Sequence, residues 1–226
     1  MCGIIGIASN KSVTENIINS LKKLEYRGYD SAGIATIKSG NINEKKCTGR
    51  VENLEKILFK NPSEGSIGIG HVRWATHGIP SKVNAHPHSS EEVSVVHNGI
   101  IENSNELKKK LEKKGYLFNT LGDTEVFLYG FIEYGKNFFK IANGIFSVAI
   151  YDKKFKKLYL ARDFIGVKPL YYYFDNKRLI FASEAKGVCK LLNKSNKLNK
   201  DLINEYLFYK YISGTKTLIK NIYQLE

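Results

Sequence analysis

The sequence predicts an α+β domain in which helices are layered on antiparallel sheets. Three observations carry the prediction. Apolar runs of strand length recur along the chain, amphipathic helical stretches fall among them, and the two types do not alternate in the regular way that a parallel βαβ sheet requires. With 226 residues, 42% of them hydrophobic, the chain can bury a self-sufficient core without disulfides or a structural metal. The content of 19 Gly, 4 Pro, 12 Phe and 14 Tyr excludes collagen-like, low-complexity and disordered classes.

Taken in order, residues 3–8, GIIGIA, read as a buried strand. Ser12 followed by Glu15 has the pattern of a capping box, and Ile17, Ile18, Leu21 and Leu24 fall on one face of the helix it would open. The Gly-punctuated stretch 26–33 returns the chain to a strand at Ile34–Ile37. Ile67, Ile69 and Trp74 mark a strand carrying His71 and Arg73, and the next strand, Val93–Val96, runs into His97, Asn98 and Gly99. Leu107 and Leu111 stripe a Lys-rich helix that should stop at Gly115. A helix opening at Asp123 precedes three strands, Phe146–Asp152, Leu158–Asp163 and Leu179–Ser183, and a capped amphipathic helix is expected over Asn199–Tyr211. Residues 193–200, polar and rich in Lys and Asn, read as a linker. The expected domains are therefore 1–192 and a second segment, 193–226, that is linker and the beginning of something else.

The formal net charge of +13 invites a nucleic-acid reading, which the kind of base argues against. Arg, the fork used for phosphates and base edges, occurs only at Arg27, Arg50, Arg73, Arg162 and Arg178, while Lys is scattered among Asn and Ile. A solvated Lys-rich surface is the better reading, with no nucleic-acid partner. No apolar run approaches the roughly 20 residues of a membrane span, so no membrane partner is expected. Cys2, Cys47 and Cys189 show neither zinc spacing nor a disulfide framework. With no leader-like segment before Cys2, a reducing cytoplasm is expected.

Cys2 directly follows Met1 and precedes Gly3. If Met1 is removed, the thiol and a free α-amine share one residue. The amine, with an ordinary pKa of about 7.7–8.0, can then take the thiol proton without help from a histidine. Cys2 taken alone fits equally a structural thiol at the start of a strand. The other polar residues at element ends carry the same ambiguity. Asp123 fits a helix N-cap, and Asn98–Gly99 fits a hairpin turn. His86 and His88 suggest half of a metal site but lack third and fourth ligands, so no metal is expected. Arg27 and Asp30 read as braces for the first strand.

Six blocks in order resolve these alternatives: MCGIIGI at 1–7, YRGYDSAGIA at 26–35, GHVRWATHG at 70–78, NAHPH at 84–88, VVHNGIIEN at 95–103 and GDTEV at 122–126. Together they resemble the class II glutamine amidotransferases, the N-terminal-nucleophile glutaminase family, over roughly residues 1–190. The resemblance implies a four-layer αββα sandwich of two antiparallel sheets between helices. It also implies that Cys2 attacks the side-chain amide of glutamine to give a thioester. The oxyanion is then held by the Asn98 amide and the Gly99 N–H, with Arg73 on the substrate carboxylate and Asp123 on its ammonium. Thr76 and His77 would line the glutamine pocket, and His86 would lie in a loop that closes over it.

For the ammonia acceptor the sequence carries two resemblances. The early blocks are most similar to the glutaminase domain of glucosamine-6-phosphate synthases. LARDFIGVKPLYYY at 160–173, FASEAKGV at 181–188 and YKYISGTKTLIKNIYQL at 209–225 are similar to asparagine synthetases, although phosphoribosylpyrophosphate amidotransferases share part of the first. The late segments rank an asparagine-synthetase-like acceptor first and a sugar acceptor second. No cofactor is expected for the glutaminase domain itself. ATP and Mg2+ belong to a synthetase domain outside this chain, and the partners implied are glutamine, an acceptor domain or subunit, and a dimer formed through the full-length protein. A non-catalytic glutamine-binding module is the remaining alternative, should Met1 be retained.

Overall fold

The computed structural model describes residues 2–75, 79–120, 122–192 and 197–226. Its strands are β1 (Gly3–Ala8), β2 (Ser31–Lys38), β3 (Asn41–Thr48), β4 (Ile67–Arg73), β5 (His88–Ser89), β6 (Val93–Ile101), β7 (Gly144–Asp152), β8 (Lys157–Arg162), β9 (Tyr171–Asp175), β10 (Arg178–Ala182) and β11 (Tyr223–Gln224). Its helices are α1 (Thr14–Leu24), α2 (Val51–Lys60), α3 (Ser104–Glu112), α4 (Thr124–Tyr134), α5 (Phe138–Ile141), α6 (Ala185–Leu192) and α7 (Ile203–Tyr209). Among the described residues the strands form two sheets, in the orders β11-β9-β10-β1-β4-β2-β3 and β5-β6-β7-β8. All the pairings are antiparallel. None of these helices is long and apolar enough to cross a membrane.

Three apolar clusters explain the layering. Ile17, Leu21 and Leu24 of α1, Leu54 of α2 and Val188 of α6 pack with Ile5, Ile34 and Val72 on the outer face of the large sheet. Leu107 and Leu111 of α3 and Phe127 and Phe131 of α4 cover the outer face of the small sheet at Val95, Val148 and Ile150. Between the sheets lie Ile4, Ala35, Ile69, Val96, Ala149 and Phe181. Because side chains alternate along a strand, Ile4 faces the inner layer while Ile5 faces the helices. This is why residues 3–8 read as a continuous apolar run. The result is the four-layer α+β sandwich, helices outside and two antiparallel sheets within.

Local departures from the sequence expectation have physical reasons. Helix α1 is entered through Val13, with no side-chain cap. Instead of Ser12 and Glu15 closing a capping box, the backbone anchors the turn, the Val13 N–H donating to Gly65 O at 3.0 Å. Strand β3, NINEKKCT, is too polar to stand out because it is the large sheet's edge. Lys and Asn there discourage pairing with another chain. The helix expected over Asn199–Tyr211 is only α7, without a side-chain cap and with no buried residue.

The segment expected to be linker and the beginning of something else packs in part against the domain before it. Of 193–226, residues 197–226 are described. Tyr223 and Gln224 pair with Tyr172 and Tyr171 as β11, the Leu225 N–H donates to Leu170 O at 2.8 Å, and Ile222 is 1% exposed within the outer helical layer. Arg162 fastens this end, donating from Nη1 to Leu225 O and from Nε to Lys168 O, both at 2.8 Å.

Candidate active site

The site sits where the central strands of the two sheets end side by side. Cys2 immediately precedes β1, Arg73 ends β4, Asn98 and Gly99 lie near the end of β6, and Asp123 stands before the first residue of α4. Asn98 and Gly99 are not a hairpin turn, since β6 continues to Ile101, with Gly99 opposite Phe146 of β7. Gly99 has φ +129, and a Cβ there would lie 1.9 Å from Ile145 O. Only glycine lets the strand bend in this way while keeping its neighbour.

Cys2 is held on both sides. Its carbonyl accepts from Arg27 Nε at 2.9 Å and from Asn98 Nδ2 at 3.1 Å, and Arg27 is itself fixed by an ion pair with Glu184. The Trp74 N–H donates to Cys2 Sγ at 3.3 Å. That approach depends on Gly28, where a Cβ would stand 2.7 Å from Trp74 N and 2.4 Å from the Arg73 carbonyl carbon. Asp30 completes the brace, its carboxylate accepting the Ala75 N–H and standing 3.8 Å from Arg73 Nη1. Burial pushes the Cys2 thiol up, against the opposing pull of the Trp74 N–H and the Arg73 charge. The resting group is therefore a protonated thiol that needs a base at the moment of attack.

A cleft of about 410 Å³ opens beside the thiol, lined by Cys2, Arg73, Trp74, Gly99, Asp123 and Thr124 among others. It offers a fixed cation at Arg73 and a carboxylate at Asp123, as an amino acid's carboxylate and ammonium require. Asp123 has no side-chain bond to its own helix. Its Oδ2 accepts the Ile101 N–H at 2.8 Å, which places the carboxylate between β6 and α4. A second cavity of about 710 Å³ shares Cys2, Trp74 and Gly99, and its far wall includes Arg27, Lys168 and Pro169. Cys2 thus stands on the wall between two cavities.

Behind the cleft lies a buried network of His71, His86, Thr124 and His97. Thr124 Oγ1 is 2.8 Å from His86 Nε2 and 3.1 Å from His97 Nδ1, and His71 Nε2 is 2.9 Å from Asn98 Oδ1. Desolvation holds all four described histidines in the neutral form, with His71 and His88 pushed down to about 3 and His86 and His97 also lowered. His86, expected in a loop closing over the site, lies in the segment between β4 and β5, lines the cleft and is 6% exposed, with its ring in this network. Thr76 and His77 lie outside the described residues. Among the described residues no three His, Cys, Asp or Glu side chains are grouped to hold a metal ion.

The family model described as the glutamine amidotransferase domain matches residues 58–226. The chain belongs to the class II glutamine amidotransferase domain family. This amidotransferase domain is 54% identical over 129 residues to the glutamine–fructose-6-phosphate aminotransferase (isomerizing) of Bradyrhizobium diazoefficiens, a match covering 57% of this chain and 21% of that protein. It is 56% identical over 128 residues to the enzyme of the same name from Clostridium acetobutylicum, covering 56% and 21%. The chain matches only about a fifth of the length of these relatives. Among solved structures it superposes on the glutamine phosphoribosylpyrophosphate amidotransferase of B. subtilis with a TM-score of 0.74 and 25% identity, over 84% of this chain and 43% of that one. A glutamine aminotransferase class-II domain protein from Silicibacter pomeroyi shares the fold, with a TM-score of 0.55 and 16% identity over 80% and 88%.

Sequence reasoning passed over Ser183 and Thr124 and gave His71 no role. Ser183 Oγ, fully buried, lies 2.9 Å from Asn98 Nδ2 and accepts the Ile4 N–H at 2.8 Å. A signal for His71 was present, because two residues before Arg73 on a strand is the same face.

Proposed function

We propose that the chain is the glutaminase domain of a sugar amidotransferase, hydrolysing glutamine to glutamate and passing the ammonia to a phosphosugar acceptor in the full-length protein. The observation that supports the glutaminase chemistry best is the convergence of Cys2, Gly99, Arg73 and Asp123 around one cleft, with the Asn98 amide on the Cys2 carbonyl. With Met1 removed, the Cys2 α-amine takes the thiol proton as sulfur attacks the amide carbon of glutamine. The oxyanion then takes donors from Asn98 Nδ2 and the Gly99 N–H. Collapse expels ammonia, which receives that proton's equivalent from the α-amine, and water hydrolyses the thioester to glutamate. Arg73 and Asp123 hold the two charged ends of the substrate. The second cavity, on the other side of the thiol, is where ammonia would leave without recrossing the glutamine cleft.

For the acceptor, relatives more than 50% identical are named for fructose 6-phosphate. This favours the sugar acceptor over the asparagine-synthetase-like acceptor that segments 160–173, 181–188 and 209–225 suggest. The test has three arms. Cys2→Ala should abolish glutamate release, N-terminal mass spectrometry should find Cys2 first, and the full-length protein should aminate fructose 6-phosphate at the expense of glutamine. ATP-dependent amination of aspartate instead would reverse the order of acceptors. A retained Met1 with glutamate release unaffected by Cys2→Ala would overturn the mechanism.

A further inference from the structure

We propose that His71 is a positioning residue that fixes the Asn98 amide for oxyanion stabilisation, as the last link of a relay in which every histidine tautomer is determined. The inference rests on the reading of Asn98 as an oxyanion donor and goes beyond it by assigning what orients that donor. The derivation starts from groups that have no choice. The Cys2 carbonyl can only accept, so the Asn98 atom 3.1 Å away is the amide nitrogen and Oδ1 must face His71. His71 Nε2 then meets two acceptors, Asn98 Oδ1 at 2.9 Å and the His97 carbonyl at 3.1 Å, so Nε2 carries the proton. A neutral imidazole has one N–H, which leaves His71 Nδ1 bare.

The assignment propagates without a further choice. His86 Nδ1 lies 3.1 Å from His71 Nδ1 and 3.0 Å from its Nε2. Nearly equidistant from the two nitrogens of a ring set at 73° to its own, His86 Nδ1 meets the face of the His71 ring, where an N–H is favoured over a lone pair, so His86 Nδ1 carries the proton. His86 Nε2 is therefore bare and accepts the Thr124 hydroxyl at 2.8 Å. Thr124, its proton committed, accepts from His97 Nδ1 at 3.1 Å. His97 Nε2 is left bare, and among the described residues it has no hydrogen-bond partner. Donation thus runs in one direction from His97 through Thr124, His86 and His71 to Asn98, whose two amide protons rest on Cys2 O and Ser183 Oγ. The proton on Cys2 O, the longer of the two bonds, is therefore the one that turns to the oxyanion when it forms. Without the His71 donor, Oδ1 loses its side-chain partner and only the contacts of Nδ2 with Cys2 O and Ser183 Oγ still hold the amide in this orientation. A flip would aim a lone pair at the developing oxyanion.

Loss of an oxyanion donor costs on the order of 100- to 1000-fold in kcat, and an amide that is misoriented part of the time costs less. In the full-length protein, His71→Leu is expected to lower kcat for glutamine hydrolysis about 10- to 100-fold. KM should stay within about threefold, because Arg73 and Asp123 are untouched. His71→Gln, which keeps an N–H donor, should restore kcat to within about fivefold of wild type. The rate of Cys2 alkylation by iodoacetamide, followed by mass spectrometry, should match wild type in both variants. Equal losses in the Leu and Gln variants, or a parallel loss of thiol reactivity and a rise in KM, would show a merely structural histidine and overturn the proposal. Cys2→Ala in the same assay separates the two failures: if it leaves glutamate release intact, the glutaminase reading fails, and if it abolishes release while His71→Leu does not, only the His71 role fails. Should His71→Leu not fold, 15N NMR of the wild-type imidazoles decides. The Nε2–H tautomer at His71 near pH 7 is the expected result, and an Nδ1–H tautomer or an imidazolium overturns the relay.

Discussion

Lowering the pH from about 7.5 to about 5 should destabilise the domain by an amount that its buried histidines set. His71 and His88 are shifted from the usual 6.5 to about 3 by desolvation. At pH 5 both stay neutral in the folded chain, whereas in the unfolded chain both take up a proton. Between 6.5 and 3 the unfolded state therefore binds more protons and stability rises with pH. The contribution is fully present above 6.5 and is lost progressively as pH falls towards 3. At pH 5 each of the two costs about 2 kcal/mol, with a combined slope of about 2.7 kcal/mol per pH unit. His86 and His97 are lowered too and act in the same direction. Against a total stability of about 5–15 kcal/mol for a domain, this is a large share. Asp163 and Glu184, whose carboxyls are held below their usual range, respond only at lower pH, so the window from 6.5 to 5 belongs to the histidines. Urea unfolding followed by circular dichroism at about pH 7.5, 6.5, 5.5 and 5 reads the effect as a falling midpoint at constant m-value. His88→Gln should reduce the slope by about 1.4 kcal/mol per pH unit. A midpoint unchanged between pH 6.5 and 5 would refute the neutral buried network.

Three further outcomes are expected. Gly99→Ala puts a Cβ 1.9 Å from Ile145 O at φ +129. It should cost at least about 1–3 kcal/mol in urea unfolding and, by moving the oxyanion N–H, on the order of 100-fold in glutaminase kcat. Arg73→Lys and Asp123→Asn each loosen one charged end of glutamine and should raise KM about 10- to 100-fold, the size of a lost charged hydrogen bond. Steady-state kinetics with glutamine checks this, and an effect confined to kcat would contradict the assignment. Phe181→Ala removes a fully buried ring from the layer between the sheets and should cost about 3–5 kcal/mol, measured as a lower urea midpoint.

How much of the fold was legible follows from what each element needed in order to form. Elements that carry their signal in apolar period, such as β1, α1 and β7, stood out because one or both of their faces are buried. β3 did not, because an edge strand keeps polar residues, and neither did β11, whose two residues become a strand only by pairing with β9. Cys2, Arg73 and Asp123, which line one cleft, fall in motifs that are legible in the sequence. The support behind them was not, since Ser183 meets Asn98 across 85 residues of chain and Thr124 meets His86 across 38. Nothing local in the chain announces such pairs. The inward contacts of the His86 ring with His71 and Thr124 have no local signature either, because they join a loop residue to a strand and a helix.

The arginines give the charge composition a structural meaning that its sum of +13 does not. Arg27 holds the Cys2 carbonyl and Glu184, Arg73 lines the cleft beside Cys2, Arg162 gathers carbonyls from Lys168 and Leu225, and Arg178 pairs with Asp175 over the Tyr173 ring. Only Arg50, with a side chain 71% exposed, is spent at the surface. A planar fork with fixed donors can satisfy several carbonyl or carboxylate oxygens at once where water is scarce, whereas a lysine ammonium is strongly hydrated and resists burial. In a chain whose basic residues are mostly Lys, the rare Arg therefore marks positions where geometry matters. Two of the five converge on Cys2 and the cleft beside it, so the positive charge nearest that thiol is the part with fixed direction.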